Sequence, residues 1–121
     1  MKVGLAQHCS LHADCIHTQV LQNAEEFASE LAAAGDKLLV VDFVASWCGP
    51  CKMMAPKLEA LAAENTEAVF VKIDIVDNED IADAHKIESL PTVVLFKNGA
   101  EITRIKGTNM TAIETAVAIN A

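Results

Sequence analysis

The feature that most constrains how this chain can fold is a nearly continuous apolar run at residues 38–44, which leads into two closely spaced cysteines, Cys48 and Cys51. A run of this kind is typical of a central strand that is covered on both faces. In open α/β sheets, ligand and active sites lie at the carboxyl ends of the strands. The run therefore predicts a buried strand with the two cysteines at its functional end.

Strand and helix patterns alternate along the rest of the chain, which predicts an α/β fold. Strands are predicted at residues 18–22, 38–44, 68–74, 92–96 and 101–106, with a hairpin around Asn98-Gly99 between the last two. Helices are predicted between Asn23 and Gly35, at residues 48–65 and 79–86, and around Met110, Ile113 and Val117. The β–α–β segments require right-handed parallel crossovers, whereas the hairpin is antiparallel. The expected architecture is a central mixed sheet of roughly five strands, with about four helices on both faces.

The first two helices carry signals of where they begin and which face they bury. Asn23 is a predicted N-cap with Glu26 as its capping-box partner, and Gly35 is a predicted C-cap residue. The apolar face of the first helix is predicted to consist of Ala24, Phe27, Ala28 and Leu31. In the second helix, Met54, Leu58 and Leu61 form a stripe. Pro56 is expected to kink that helix, because proline removes a backbone donor.

The length and charge of the chain fit one acidic domain. A chain of 121 residues is long enough for one domain with a core and too short for two. Its net charge of -8 argues against nucleic acid and anionic membranes as partners, because both bind basic surfaces. The acidic residues indicate a solvated surface, or one that favours basic targets. We expect a monomer.

No targeting or membrane segment is visible in the sequence. No apolar run approaches the roughly 18 residues of a membrane span. Residues 1–8 carry one lysine and then turn polar, without the apolar stretch of a signal peptide or the arginines of a transit peptide. The expected compartment is therefore the cytoplasm. In a reducing compartment, a close cysteine pair is more often catalytic or metal-binding than structural.

The spacing of Cys48 and Cys51 assigns them different chemical roles. Two intervening residues across the first turn of a helix bring the sulfurs within reach of a disulfide. Near the N-cap, Cys48 lies beside unpaired backbone N–H groups and the positive end of the helix dipole, so the pKa of its thiol is expected to be low. Cys51 is expected to be more deeply buried. Cys48 is therefore the predicted nucleophile and Cys51 the resolving cysteine, while Pro50 suits the first helical turn.

Two structural interpretations of the same pair stay open. The cysteines could form an inert disulfide, or they could be half of a zinc site. Structural zinc usually takes four ligands, and beyond residue 17 only His85 could join the pair. Cys9, Cys15 and neighbouring histidines could supply the remainder. We predict no metal at the pair.

Asp42 is the second informative residue, because it interrupts the apolar strand before the cysteines. A buried carboxyl group is costly to ionise, so its pKa is expected to be raised. We predict that Asp42 accepts and returns the proton of Cys51, directly or through water. Lys72, on the neighbouring predicted strand, is expected to pair with Asp42 and tune it. The alternatives are an exposed carboxylate at the strand end and an ordinary surface lysine.

Residues 1–17 differ from the remainder of the chain. They contain three of the four histidines and half of the cysteines, without apolar periodicity. We expect a flexible N-terminal extension here, followed by a domain at residues 18–121. The cluster of His8, Cys9, His12, Cys15 and His17 could bind metal or form a second redox pair. The simpler interpretation is a tail in which these residues are incidental.

Residues 41–56, which read VDFVASWCGPCKMMAP, resemble the active-site block of the thioredoxin family. The segments LPT at 90–92 and FKNG at 96–99, followed by Gly107, resemble the same family in order and spacing. The resemblance covers residues 18–121 and implies a thioredoxin fold. It implies that the dithiol reduces disulfides in target proteins and is recycled by thioredoxin reductase with NADPH, and that no cofactor is bound. The implied partners are the reductase and disulfide-containing proteins, peroxiredoxin-like enzymes among them.

The resemblance also implies which residues meet a target. Pro91 would be cis and face the cysteine pair, and the backbone of Leu90 would pair with an extended target segment. The implied docking surface consists of Trp47, Gly49, Pro50, Leu90, Pro91 and Gly107. The chain departs from the family pattern at Val44, where many relatives carry a second tryptophan, and at Ser89, which changes the residue pair before Pro91.

Two other functions are compatible with the same fold. A redox-switched binding module would change partners with its oxidation state without turning over. An oxidase or isomerase of the secretory pathway would usually carry histidine in place of Pro50 and would enter by a signal peptide. Pro50 and the polar N-terminal residues therefore both argue against this function.

Overall fold

The computed structural model describes residues 17–121, in which five strands and four helices follow one another along the chain. The strands are β1 (Gln19–Leu21), β2 (Leu39–Val44), β3 (Val69–Asp74), β4 (Thr92–Lys97) and β5 (Ala100–Lys106). The helices are α1 (Ala24–Ala34), α2 (Gly49–Glu64), α3 (Glu79–Ala84) and α4 (Met110–Asn120). The predicted α/β class is confirmed. None of the helices in the described residues is long and apolar enough to cross a membrane.

The five strands form one mixed sheet in the order β1-β3-β2-β4-β5. Strand β3 lies between β1 and β2 and is parallel to both, as the two β–α–β segments predict. Strand β4 is antiparallel to β2, and β5 is antiparallel to β4. Strand β2 is thus central, which explains why its sequence is almost entirely apolar.

Both faces of the sheet are covered, and β2 alternates between them. Leu38 and Val40 pack with α2 and α4 in one cluster, whereas Leu39, Val41 and Phe43 pack with α1 and α3 in the other. We call these the α2 face and the α1 face of the sheet. The predicted stripe of α2, which comprises Met54, Leu58 and Leu61, is buried on the α2 face. Helix α2 continues through Pro56 without interruption.

Helix α1 begins as predicted but buries a narrower face. The Asn23 side chain accepts a hydrogen bond from the Glu26 N–H at 2.9 Å, and the Glu26 carboxylate accepts one from the Gln22 N–H at 2.7 Å. Ala24 and Ala28 are exposed, so their predicted place in the core is wrong. The contacting residues are Phe27, Leu31 and Ala34. These residues are spaced four and three positions apart, so only a narrow stripe of the helix packs against the sheet.

Helix α3 ends at Ala84, two residues before the predicted end at Lys86. Lys86 adopts a left-handed conformation with φ of 54°, which a continuing helix does not allow. The Lys86 N–H donates to the Asp83 carbonyl at 3.1 Å and the Ile87 N–H donates to the Ala82 carbonyl at 3.0 Å. These two bonds form a Schellman motif, with lysine at the position that usually holds glycine.

The predicted hairpin turns at Asn98 and Gly99, which have φ of 56° and 81°. Positive φ at both central residues is typical of the tight turns that join antiparallel strands. The paired strands reach Lys97 and Ala100, so they extend to the turn itself. The register shifts between Leu95, opposite Thr103, and Phe96, opposite Glu101. Ile102 is therefore an extra residue on β5, which is a β-bulge.

Candidate active site

The two cysteines lie where β2 gives way to α2. Cys48 is the N-cap of α2, and its sulfur accepts a hydrogen bond from the Cys51 N–H at 3.2 Å. The residues form a disulfide, with their Cα atoms 5.3 Å apart. Gly49 begins the helix and Pro50 occupies its first turn, where a missing N–H costs little. The predicted position of Cys48 at the N-terminus of a helix is therefore confirmed, and its role as the nucleophile stays a prediction.

The expected difference in burial between the two cysteines is not found. Cys48 is 5% exposed and Cys51 is 4% exposed, and both belong to one buried cluster with Ala45. The two cysteines differ in access from the surface. Cys48 lines a surface groove of the described residues, whereas Cys51 does not.

This groove has a volume of about 360 Å³. The described residues that line it are Trp47, Cys48, Gly49, Pro50, Ile75, Ile87, Glu88, Ser89 and Leu90. Trp47 is 70% exposed, which leaves a large aromatic surface beside Cys48. Such an exposed apolar group is typical of an interaction surface. The structure thus brings four of the predicted docking residues together around Cys48.

Sequence reasoning missed Ile75, Ile87 and Glu88 as residues of the groove. Ile75 directly follows β3, whose carboxyl end lies next to that of β2 in the parallel part of the sheet. The rule that sites lie at this edge therefore contained a signal for Ile75. Ile87 and Glu88 follow α3, and no local pattern connects them with the cysteines.

The Leu90–Pro91 peptide bond is cis, as the resemblance implied. Pro91 is buried and Gly107 is half-buried, and neither of them lines the groove. The Gly107 N–H donates to the Pro91 carbonyl at 2.8 Å, so these two predicted residues lie together. Their contact with a target stays a prediction. A Cβ atom at Gly49 would meet no atom within 4 Å, so the fold itself does not require glycine there.

Asp42 lies on the face of the sheet that α2 covers. It shares this face with Leu38 and Val40, which pack against the helix that carries the cysteines. Asp42 is 3% exposed, which contradicts the alternative of a solvent-exposed carboxylate. Neither carboxyl oxygen has a hydrogen-bond partner among residues 17–121. A buried polar group without a partner is rare, and a catalytic role is one explanation for it.

Burial raises the pKa of Asp42 from 3.8 to about 7, and the positive charge of Lys72 opposes that rise. Lys72 lies opposite Asp42 in the register of β2 and β3, and it is half-buried. Cross-strand partners point to the same face, so the two side chains are neighbours there, although no hydrogen bond joins them. Their predicted roles stay predictions.

Metal binding was one alternative for the cysteine pair and one for the N-terminal cluster of histidines and cysteines. No group of three His, Cys, Asp or Glu side chains within residues 17–121 is placed to hold a metal ion. His85 packs edge-on against Phe27 and Phe96, with ring centroids 5.4 Å and 5.5 Å away. Of the histidine- and cysteine-rich tail, only His17 is described. Its backbone N–H donates to a Glu59 carboxylate oxygen at 2.6 Å. His8, Cys9, His12 and Cys15 lie outside the described residues.

The arrangement suits dithiol–disulfide exchange. A sulfur at a helix N-terminus is stabilised as a thiolate, and a second sulfur within bonding distance can displace whatever the first one attacks. A buried acid with a pKa near neutrality can take up and release a proton during that exchange.

Comparison with known proteins agrees with this chemistry. The thioredoxin family model matches residues 18–118. A thioredoxin of Echinococcus granulosus is 45% identical over 102 residues, which cover 84% of this chain and 95% of that protein. Thioredoxin-2 of Saccharomyces cerevisiae is 47% identical over 100 residues, which cover 83% of this chain and 95% of that protein.

Solved structures give the same result. The X-ray structure of Fasciola hepatica thioredoxin superposes with a TM-score of 0.84 and 38% identity, and the match covers 86% of this chain and all of that one. Thioredoxins are protein disulfide oxidoreductases, and the cysteine pair has the active-site spacing of that family. Its sequence, its sheet order and its disulfide at the N-terminus of α2 show that this chain belongs to the thioredoxin family and is a thiol–disulfide oxidoreductase.

Proposed function

We propose that this chain reduces disulfides in target proteins in two steps, with Cys48 as the nucleophile. The Cys48 thiolate attacks a target disulfide, forms a mixed disulfide and releases the first target sulfur as a thiolate. Cys51 then loses its proton and attacks the Cys48 sulfur, which releases the second target thiolate. The chain ends as the Cys48–Cys51 disulfide, and the target has gained two electrons.

The position of Cys48 is the single observation that carries this proposal. Its sulfur accepts a hydrogen bond from the Cys51 N–H at the first turn of α2, and the residue lines the groove. Backbone donors and the helix dipole favour the thiolate, while the groove offers a target access to it. Because Cys51 does not line the groove, a target reaches Cys48 first.

We assign Asp42 the role of proton acceptor for Cys51. Its carboxyl group is buried on the face that α2 covers and has no hydrogen-bond partner in the described residues. With its pKa raised by burial to about 7, the group exchanges protons in the range where a thiol must be deprotonated. Lys72 is assigned the role of limiting that rise by its positive charge.

The remaining parts of the cycle follow from the family. We propose that thioredoxin reductase returns the disulfide to the dithiol with electrons from NADPH, and that the chain itself binds no cofactor. Disulfide-containing proteins, peroxiredoxin-like enzymes among them, are the proposed targets. Trp47, Gly49, Pro50, Leu90, Pro91 and Gly107 are proposed to contact them. We propose that the chain acts as a monomer in the cytoplasm.

The assignment of the two cysteines is tested by trapping. Cys51→Ser should accumulate a mixed disulfide with insulin, because its resolving sulfur is missing, whereas Cys48→Ser should form none. Both variants should fail to turn over insulin with thioredoxin reductase and NADPH. If Cys51→Ser forms no adduct while its Cys48 is freely alkylated, Cys48 is not the nucleophile. If the wild-type chain binds the target but does not turn over, it is a redox-switched binding module instead.

A further inference from the structure

One wall of the groove is formed by residues 87–90, which belong to the segment 85–91 that we call the cis-proline loop. It leaves the end of α3 and carries Ile87, Glu88, Ser89 and Leu90 to the side of Cys48. Its far end is secured close to the strands, because the Thr92 hydroxyl donates to the Ser89 carbonyl at 2.6 Å. Its near end leaves α3 through the left-handed Lys86. The position of the groove wall therefore depends on what holds residues 85 and 86.

Arg104 on β5 holds this near end. Its guanidinium donates to the His85 carbonyl at 2.8 Å through Nη2 and to the Lys86 carbonyl at 3.3 Å through Nη1. The last carbonyls of a helix have no partner within the helix, and a cation near them is stabilising. Arg104 is the only arginine in the sequence. Its planar guanidinium group can donate to two acceptors in a fixed geometry, which the ammonium group of a lysine cannot reproduce.

The bulge on β5 explains why Arg104 points toward the loop. Residues three apart in a regular strand point to opposite faces. With Ile102 as the extra residue, Arg104 lies opposite Val94 and Glu101 lies opposite Phe96, and both partners face α1 and α3. Glu101 and Arg104 thus share the face on which α3 ends.

Glu101 lies on the same face as Arg104 and orients its guanidinium group. Its two carboxylate oxygens accept from Arg104 Nε at 2.8 Å and from Nη2 at 2.9 Å. A two-point ion pair of this kind fixes the plane of the guanidinium group. The remaining donors of Arg104 are then aimed at the loop carbonyls.

We propose that Arg104, oriented by Glu101, is a positioning residue for target docking that sets the cis-proline loop against Cys48. The inference rests on the proposed reduction of protein disulfides and concerns the groove that receives the target. A protein target uses the loop wall, whereas a small disulfide needs only the sulfur. Losing Arg104 should therefore weaken docking of protein targets and leave the reactivity of Cys48 unchanged.

The experiment compares a protein disulfide with a small one. Arg104→Met should raise KM for insulin about tenfold, with kcat within about twofold of the wild type, because one oriented set of charge-assisted bonds is lost. Its rate with hydroxyethyl disulfide should stay within about twofold of the wild type. Arg104→Lys should have a KM for insulin between those of the wild type and Arg104→Met, since an ammonium group reaches one carbonyl at a time. Hydrogen exchange of the amides at residues 86–90 should accelerate in Arg104→Met and not in α4.

Two further variants separate positioning from general stability. Lys97→Met removes a cation of the same hairpin that donates to the Asn120 carbonyl at 2.7 Å, at the end away from the groove, and should leave KM for insulin unchanged. Glu101→Gln should raise KM in the wild type but add little in the Arg104→Met background, because the two residues act together. An unchanged KM in Arg104→Met, or an equal loss with both disulfides, would overturn the inference. An inactive wild type would instead contradict the proposed function.

Discussion

Asp42 and Lys72 face each other across the parallel strands β2 and β3, yet no hydrogen bond joins their side chains. The carboxyl group is 3% exposed, so loss of water outweighs the attraction of the lysine and the pKa of Asp42 rises to about 7. The protein thus holds a neutral acid, up to neutral pH, on the face of the sheet that α2 covers. This arrangement costs folding free energy, and a pKa near neutrality fits the proposed role of Asp42 as a proton acceptor.

The first prediction concerns stability. Folded Asp42 keeps its proton up to about pH 7, whereas an unfolded aspartate loses it near its ordinary pKa of 3.8. The folded chain binds more protons in this interval, so the free energy of unfolding contributed by Asp42 falls as pH rises and levels off above it. Asp42→Asn should therefore stabilise the oxidised protein by up to about 4 kcal/mol at pH 7 and by little near pH 4. Urea unfolding between these pH values measures the difference.

An exposed carboxylate provides the control for this measurement. Asp36→Asn removes one acidic charge just beyond α1, where the side chain is exposed. It should change the free energy of unfolding by less than about 0.5 kcal/mol at either pH. A stabilisation by Asp42→Asn that does not grow with pH would contradict the burial argument.

The second prediction concerns the rate at which Cys51 resolves a mixed disulfide. The wild-type rate should increase as pH rises through the pKa of Asp42, because only the ionised carboxylate accepts a proton. Asp42→Asn should lose this increase and resolve the adduct about tenfold to a hundredfold more slowly at pH 8. Rapid mixing of a preformed adduct, followed by mass analysis of quenched samples, measures the rate.

Lys72→Met tests the same carboxyl group from the opposite strand. The charge of Lys72 lowers the pKa of Asp42. Its removal should therefore move the inflection of the rate profile to higher pH without removing it. A profile that stays in place would mean that Lys72 does not tune Asp42.

The third prediction concerns the left-handed residue after α3. Lys86 has φ of 54°, which is strained for a residue with a Cβ atom. Lys86→Gly should raise the free energy of unfolding by about 0.5 to 1 kcal/mol, while the Schellman bonds and the carbonyl that Arg104 contacts are kept. Lys57→Gly makes the same chemical change on an exposed position inside α2. It should lower the free energy of unfolding by about 1 kcal/mol, and equal signs would refute the prediction.

The fourth prediction concerns Glu88, which carries the only charged side chain among the described residues that line the groove. A basic residue beside the target disulfide should find a partner there. Glu88→Lys should lower kcat/KM about threefold to fivefold for a disulfide peptide flanked by lysines, and raise it for one flanked by glutamates. Glu114→Lys, on the exposed side of α4, makes the same charge change away from the groove. If both variants shift the two peptides equally, net charge and not Glu88 sets the preference.

Much of the local structure could be predicted because its signals are local. The apolar run of β2, the Asn23 cap, the Asn98-Gly99 turn and the N-cap position of Cys48 each depend on residues close in the chain. The early end of α3 was missed, because lysine at the left-handed position hides a signal that glycine would show. The cis Leu90–Pro91 bond followed from family resemblance, since proline alone seldom predicts a cis bond.

The sequence by itself determined the elements, the acidic surface and the two sulfurs at the mouth of a helix, because spacing within one turn is set by helix geometry. Only the tertiary structure decided that β3 lies between β1 and β2, which places Lys72 opposite Asp42 and Ile75 beside Cys48. It also decided that one extra residue on β5 turns Arg104 toward the end of α3. These relationships depend on register and burial between distant segments, which set both the pKa of Asp42 and the shape of the groove.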